Sequence, residues 1–484
     1  MSDPLLIRLL TEAMSLQARG NVGAALLAYR RVQKQFPDCP DAWANASTLL
    51  YGMERFDEAL ASAERAVALD GANQPAAYAL GSALHKLERT DEAEAVFRNL
   101  LEANPSHFEA LVALAGINGA KNRFAESLEL YNRAVALEPS NAHLMLRRGI
   151  IRMWALDLPG AEADVRAAMD MGFNEKFAWS VLTRPLLLMG RYREAWPYFT
   201  KSGMKLGTLF DNYNTGNPRW DGGPMQGRTL MVRTHHHGFG DVMQMSRFMP
   251  QIKEMSRARV LLSVYEPILR LMRGVPGVDG LIVQERDKPP FDAVINLLEL
   301  PYALDIDSAA LPPPVTFSLP DDGGPMPELD RPGFKVGLVW GGNPIHSMDE
   351  QRSMGPRPLD ALADMQGAER VAWYGLQKPP SDAPPRLPGF IDMSPRMGDF
   401  MDTAQIVRRL DLVVSVDTST LHLAGSLRVP TIAMIQYLPE WRWCLGEATP
   451  WYPTVKLLRQ HTNGDWGGAV ETLKQEIARR MADS

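Results

Sequence analysis

The chain has 484 residues, 45% of them hydrophobic, too long for one ordinary domain and apolar enough for real cores, so two or three domains are expected. A net charge of −6, from 51 basic and 57 acidic side chains, excludes bulk attraction to polyphosphate and argues against a nucleic-acid binder relying on Lys and Arg. Cys39 and Cys444 lack metal-ligand spacing and form no disulfide framework, and neither a signal peptide nor a run of about 20 apolar residues occurs, so a cytoplasmic chain without a membrane span is expected.

Residues 1–205 carry a 34-residue period that never slips from about residue 6 onward. Ala25, Ala59, Ala93, Ser127, Ala161 and Ala195 share one column; Ala13, Ser47, Gly81, Ala115, Gly149 and Thr183 share a second. A third, bulkier column holds Tyr29, Ala63, Phe97, Tyr131, Val165 and Phe199. Small side chains let two helices approach closely, and the bulky one fills the gap to the next pair. Pro37, Pro105 and Pro139 fall where the second helix must stop. The pattern resembles the tetratricopeptide repeat, in about six copies. That resemblance implies an all-α solenoid whose concave groove docks a polypeptide, or one that only scaffolds.

Residues 206–228, rich in Gly, Asn and Pro, read as a linker. Beyond it, TLMVRT, RVLLSVY and FDAVINL alternate with amphipathic stretches, as in a parallel α/β sheet, over a first lobe at 229–320. A second proline-rich joint precedes a second lobe at 334–484, with strands in KVGLVWGG, RVAWYGLQ, LDLVVSVD and PTIAMIQ. The amphipathic segment from Trp466 to Met481 is expected to return against the first lobe. Two open lobes joined by a hinge hold a ligand at the carboxyl ends of their strands.

Three turns carry the candidate chemistry. In HHHGFGDVMQ, Gly238 and Gly240 permit a tight strand-to-helix turn with amides facing a phosphate, and Asp241 either caps the helix or removes a proton from an acceptor hydroxyl. Three consecutive histidines cannot converge on one metal, and His237 is the one nearest the cleft. In WGGNPIHSMDEQRSM, Asn343, His346 and Arg352 are candidate donor ligands, the alternative being a solvated loop whose Arg352 pairs with Asp349 or Glu350. Gln377, closing RVAWYGLQ, is a further donor-binding candidate. In SVDTSTLHLAGSL a strand ends at Asp417, Thr418 and Ser419 supply hydroxyls and amides, and a helix begins that carries His422. Such a terminus binds a diphosphate without a basic residue; the alternative makes Thr418 and Ser419 plain caps and His422 a core histidine.

GFGDV, WGGNP…RS and DFMDTA…LDLVVSVDTSTLHLAGSL…PEWRWC…PWYPTVKLLRQ together resemble the bacterial tetratricopeptide glycosyltransferases related to glycosyltransferase family 9, the heptosyltransferases. The resemblance implies a GT-B fold of two α/β lobes, with Asp241 as catalytic base and Asp417, Thr418, Ser419 and His422 at the donor diphosphate. HHHGF before Gly240, and Ser347 to Gln351 before the Arg352-Ser353 pair, depart from the family pattern. The expected activity is inverting, metal-independent and cofactor-free transfer from a nucleotide sugar to a protein docked by the repeats, with flagellin the first candidate. Transfer to a lipid-linked or polysaccharide acceptor, and a non-catalytic adaptor, are the alternatives.

Overall fold

The computed structural model describes residues 3–202, 217–234, 238–283, 286–320, 324–346, 348–379 and 383–483. The chain forms two compact units, Met1–Phe173 and Asn174–Ser484.

In the first unit, ten helices among the described residues form five pairs: α1 Pro4–Ala18 with α2 Val22–Gln35, α3 Pro40–Gly52 with α4 Phe56–Leu69, α5 Gln74–Lys86 with α6 Thr90–Ala103, α7 Phe108–Ala120 with α8 Phe124–Leu137, and α9 Ala142–Trp154 with α10 Leu158–Asp170. The three repeat columns are their core: Ala25, Ala59, Ala93, Tyr29, Phe97 and Tyr131 are all buried. The two small columns touch directly. Ser47 Oγ donates to the Ala59 carbonyl and Ser127 Oγ to that of Ala115, each at 2.7 Å. A Cβ on Gly81 would lie 2.7 Å from the Phe97 ring, so only glycine admits that ring here. Helices α2, α6 and α8 end two residues before Pro37, Pro105 and Pro139.

A further column was not read from the sequence. Gly20, Glu54, Glu88, Asn122 and Leu156 recur every 34 residues between the helices of each pair, and all have left-handed backbones, with φ from 60° to 72°. The following amide then returns to the first helix, as in Asn21 N to Leu16 O at 3.0 Å and Arg123 N to Asn118 O at 2.8 Å. This is the hydrogen-bonded helix stop that glycine favours, held here in three repeats by Glu or Leu.

The sixth pair, α11 Glu175–Leu188 and α12 Tyr192–Ser202, keeps the repeat columns but belongs to the second unit. Trp196 Nε1 donates to the Ile306 carbonyl at 2.9 Å, Arg193 pairs with Asp305 at 3.0 Å, and Tyr192 Oη accepts from Trp451 Nε1 at 2.9 Å. Buried aromatic contacts on α12 therefore outweigh repeat continuity, and the compact boundary lies well before residue 205.

The rest of the second unit contains two parallel sheets. The first has order β3-β2-β1-β4, from β1 Thr229–Arg233, β2 Arg259–Val264, β3 Gly280–Val283 and β4 Ala293–Asn296. The second has order β10-β9-β8-β5-β6-β7, from β5 Phe334–Val339, β6 Val371–Gly375, β7 Ile391–Asp392, β8 Leu412–Val416, β9 Thr431–Ile435 and β10 Val455–Arg459. Strands β1, β2, β4, β5, β6, β8 and β9 fall on the expected runs; β3, β7 and β10 were not separately expected. Helices α13 Phe239–Met245 and α14 Met249–Ser256 follow β1; α15 Phe400–Val407 precedes β8 and α16 Ser419–Ser426 follows it; α17 Gly467–Asp483 ends the chain. The expected return of this last helix to the first lobe is corrected. Val470, Leu473, Ile477 and Met481 bury against Leu359, Leu362 and Met365 in the second lobe, where its own sheet leaves an apolar face to cover.

Residues 206–216 of the expected linker lie outside the described residues. Its remainder is packed: Val294 N donates to Pro218 O at 3.1 Å and Trp220 N to Val294 O at 2.9 Å, lengthening the sheet beyond β4.

At the left-handed position a Cβ costs roughly 1–2 kcal/mol, while glycine loses roughly 0.5–1 kcal/mol of chain entropy. Glu88 is exposed there at φ 62°. Glu88→Gly is therefore expected to stabilise the first unit by up to about 1 kcal/mol, and Gly20→Val to destabilise it by at least as much. Paired urea midpoints measure both; a stability loss in Glu88→Gly would show that the turn is not limited by its backbone conformation.

Candidate functional site

Strand β1 ends at Arg233, and Thr234 Oγ1 donates to the Ser263 carbonyl at 2.7 Å, tying the exit of β1 to β2. His237 lies outside the described residues. Gly238 is the N-cap of α13, its N–H donating to Asp241 Oδ2 at 2.9 Å, so Asp241 does cap this helix. Strand β8 ends before Asp417, and Thr418 occupies the N-cap of α16. Its hydroxyl is 3.0 Å from Ser415 Oγ and makes no side-chain cap bond. The first amides of a helix lack an intrahelical acceptor; here the Thr418 carbonyl accepts from Leu421 N at 3.1 Å, and the Thr418 hydroxyl caps none of them. Ser419 is the first residue of that turn and is partly exposed.

The two turns meet. Helix α13 packs on α16, and Gly240 lies against the His422 ring so closely that any Cβ would overlap it. His422 is buried, with Nδ1 2.9 Å from Tyr452 Oη and its ring beside Trp443 at 5.3 Å between centroids. Burial first, and the Arg442 cation second, push its pKa down to about 3. It is a neutral imidazole.

Arg442 binds the lobes together at this point. Its guanidinium pairs with Asp241 and bonds Gln244 on α13, and it pairs with Glu440 at 2.6 Å while stacking on Trp441 at 4.3 Å. Burial opposes the charge on Arg442, but Glu440 and Asp241 outweigh it and push its pKa up. The Arg442 side chain is 9% exposed and that of Asp241 24%, so the carboxylate reaches solvent from a largely buried pair. Asp417 is also buried; desolvation raises its carboxyl, opposed by Arg352, then Trp443 and then Arg442. Asp241, Gly240, Arg352, Asp417 and His422 thus share one electrostatic neighbourhood.

Arg352 also makes a local pair, and Asn343, His346 and Gln377 make local bonds. Arg352 pairs with Asp349 at 3.1 Å, as the solvated-loop alternative has it, although both side chains are mostly buried. Asn343 and His346 are exposed and make local turn bonds: Asn343 Oδ1 accepts from Ile345 N at 3.1 Å, and His346 Nδ1 from Met348 N at 3.2 Å. Gln377 fastens two strand ends. Its Oε1 accepts from Trp340 N at 3.2 Å and Gly341 N at 3.0 Å, and its Nε2 donates to Gly341 O at 3.1 Å, tying the ends of β5 and β6 together.

Sequence reasoning missed Arg442, Glu440, Tyr452 and Arg247, although the first three lie in the quoted PEWRWC and PWYP runs. The signal for Glu440 and Arg442 was a pair of opposite charges among tryptophans, since a buried charge needs a partner. It also missed Glu299, which is 1% exposed just beyond β4 and accepts from Asn296 N at 3.1 Å. Burial pushes this carboxyl up to about 7 despite its ion pair with Arg219. Among the described residues no group of three or more His, Cys, Asp or Glu is placed to hold a metal ion, and no helix is long and apolar enough to cross a membrane.

Residues 10–77, 45–98 and 78–142 match the tetratricopeptide repeat family, and the N-terminal region is a helical solenoid of that repeat. Protein FlbA of Caulobacter vibrioides is 24% identical over 96% of this chain and 83% of its own length. The CTR9 homolog of Arabidopsis thaliana is 30% identical over 24% of this chain and 12% of its own. Among solved structures, pilF of Pseudomonas aeruginosa aligns with a TM-score of 0.38 and 15% identity, over 43% of this chain and 92% of that one.

His422 and Glu299 give opposite pH dependences. His422 falls from an ordinary 6.5 to about 3 on folding, so the unfolded chain binds the extra proton and stability drops by about 1.4 kcal/mol per pH unit as pH falls below 6.5. Glu299 rises from 4.5 to about 7, so the native state holds the extra proton and stability grows as pH falls from 7 to 4.5. His422→Gln is therefore expected to make the second unit relatively more stable at pH 5 than at pH 7, and Glu299→Gln relatively less. Urea midpoints of the full chain at both pH values measure this; wild-type pH dependence in both variants would contradict it.

Proposed function

We propose that the second half is an inverting, metal-independent glycosyltransferase, moving a sugar from a nucleotide-sugar donor to a protein docked by the tetratricopeptide solenoid. The observation that carries the reading is the junction at Gly240 and His422. It joins two strand-to-helix turns from two parallel sheets and puts a carboxylate beside an uncapped helix start. In the proposed reaction the acceptor hydroxyl oxygen attacks the anomeric carbon and passes its proton to Asp241. The bond from that carbon to the donor diphosphate breaks, and its electron pair leaves on a phosphate oxygen facing the α16 amides and His422. Asp241 accepts from Arg442 through one oxygen and from Gly238 N–H through the other, which holds the carboxylate at the junction.

The solenoid supports a polypeptide acceptor, and the stated family resemblance makes flagellin the first to test; a nucleotide-sugar donor fits a cytoplasmic site. A non-catalytic adaptor is favoured by one observation, that Asp241 already caps α13 and pairs with Arg442. A panel of nucleotide sugars with mass spectrometry of co-expressed flagellin separates the readings. Transfer from one donor, persisting in chelator and lowered about 10²- to 10⁴-fold by Asp241→Asn with donor binding retained, is expected. Wild-type turnover in that variant removes Asp241 from the chemistry, a strict Mg²⁺ or Mn²⁺ requirement overturns the metal-independent mechanism, and no turnover with any donor favours the adaptor.

A further inference from the structure

Behind His422 lie two buried side chains that the proposed reaction does not use. Arg247 is 3% exposed, and its Nε, Nη1 and Nη2 donate to the carbonyls of Gln244 at 2.9 Å, Pro312 at 3.2 Å and Trp451 at 2.9 Å. Its guanidinium carbon is 5.1 Å from the ring centroids of both Trp451 and Tyr452. Tyr452 is wholly buried, and its ring presses on Gly425 of α16, where a Cβ would lie 2.6 Å from Cδ1. The phenol is thereby aimed at His422 Nδ1, 2.9 Å away.

The direction of that bond follows from its neighbours. A neutral imidazole has one donor and one acceptor nitrogen, and a guanidinium only donates. The Arg247 cation, then the Ser426 hydroxyl and the Arg442 cation, act on the phenol oxygen, favouring lone pairs toward them and the hydroxyl proton toward His422. We propose that Arg247 and Tyr452 are positioning residues that fix the tautomer of His422, with Nδ1 accepting from Tyr452 and the ring proton on Nε2. The ring carbon Cδ2 is the atom nearest Gly240, with Nε2 beside it. His422 then presents a neutral N–H donor at the α13–α16 junction, suited to a phosphate oxygen. Only the identity of that ligand rests on the transferase reading. The charged groups acting on the ring besides Arg247 are Arg442, Asp241 and Arg352.

The test is ¹⁵N NMR of the full chain with labelled histidine, His422 being assigned by the resonances lost in His422→Gln. An unprotonated Nδ1 and a protonated Nε2 are expected, and Tyr452→Phe is expected to move part of the population to the other tautomer. A protonated Nδ1 in the wild type overturns the proposal, as does a Tyr452→Phe spectrum identical to wild type. The wild-type spectrum decides alone if that variant does not fold. Inorganic pyrophosphate is expected to shift Nε2. No shift, with the tautomer as expected, counts against the diphosphate reading while supporting the positioning role.

Discussion

The second unit depends on one close contact, the absence of a side chain at Gly240 where the His422 ring sits. A methyl group there would force α13 and α16 apart, and with them the two sheets they leave. Every other bond at the junction presupposes that approach. Arg442 reaches Asp241 and Gln244 across it, and Arg247 reaches the Trp451 carbonyl. Farther out, Arg270 meets Asp399 and Asp402 at 3.0 Å each, and the rings of Phe239 and Phe400 stand 5.2 Å apart. These peripheral contacts pair an exposed cation with carboxylates and contribute little alone. The central ones involve buried charge, so losing one partner leaves another uncompensated.

The electrostatics of the junction follow from that burial. His422 loses its ability to charge, whereas Arg442 keeps its charge because two carboxylates outweigh desolvation. A ligand would meet a neutral imidazole, uncapped amides and cations already paired. The excess of acidic residues in the whole chain therefore says little about this spot. Local pairing, rather than net charge, sets what can bind.

What was legible in the sequence was local or periodic. The repeat columns show because Ala25, Ala59 and Ala93 recur at a fixed interval, and β1 and β8 show because their apolar runs are bounded by turn residues. The turns at Asp241 and Thr418 were visible for the same reason. Their partners were not: Arg442 is about 200 positions from Asp241, and Tyr452 is 30 from His422. No spacing rule connects such pairs, and aromatic runs such as WRWC read equally well as core. The fastening role of Gln377 was hidden for another reason, since its side chain serves backbone groups that only appear once β5 and β6 lie side by side. The short strand β7, with two residues, carries no alternation to detect.

The sixth helical pair has a consequence for how such a chain can change in size. Tyr192 and Trp196 are anchored to Trp451 and Ile306, so this pair is a fixed fitting of the second unit. The preceding pairs repeat one turn, one set of columns and one stop, as the units of a solenoid do. Duplication or loss of a 34-residue block is therefore tolerable upstream of Asn174 and disruptive downstream of it. Evolution of a longer or shorter arm, or its replacement by recombination, has its natural splice point there.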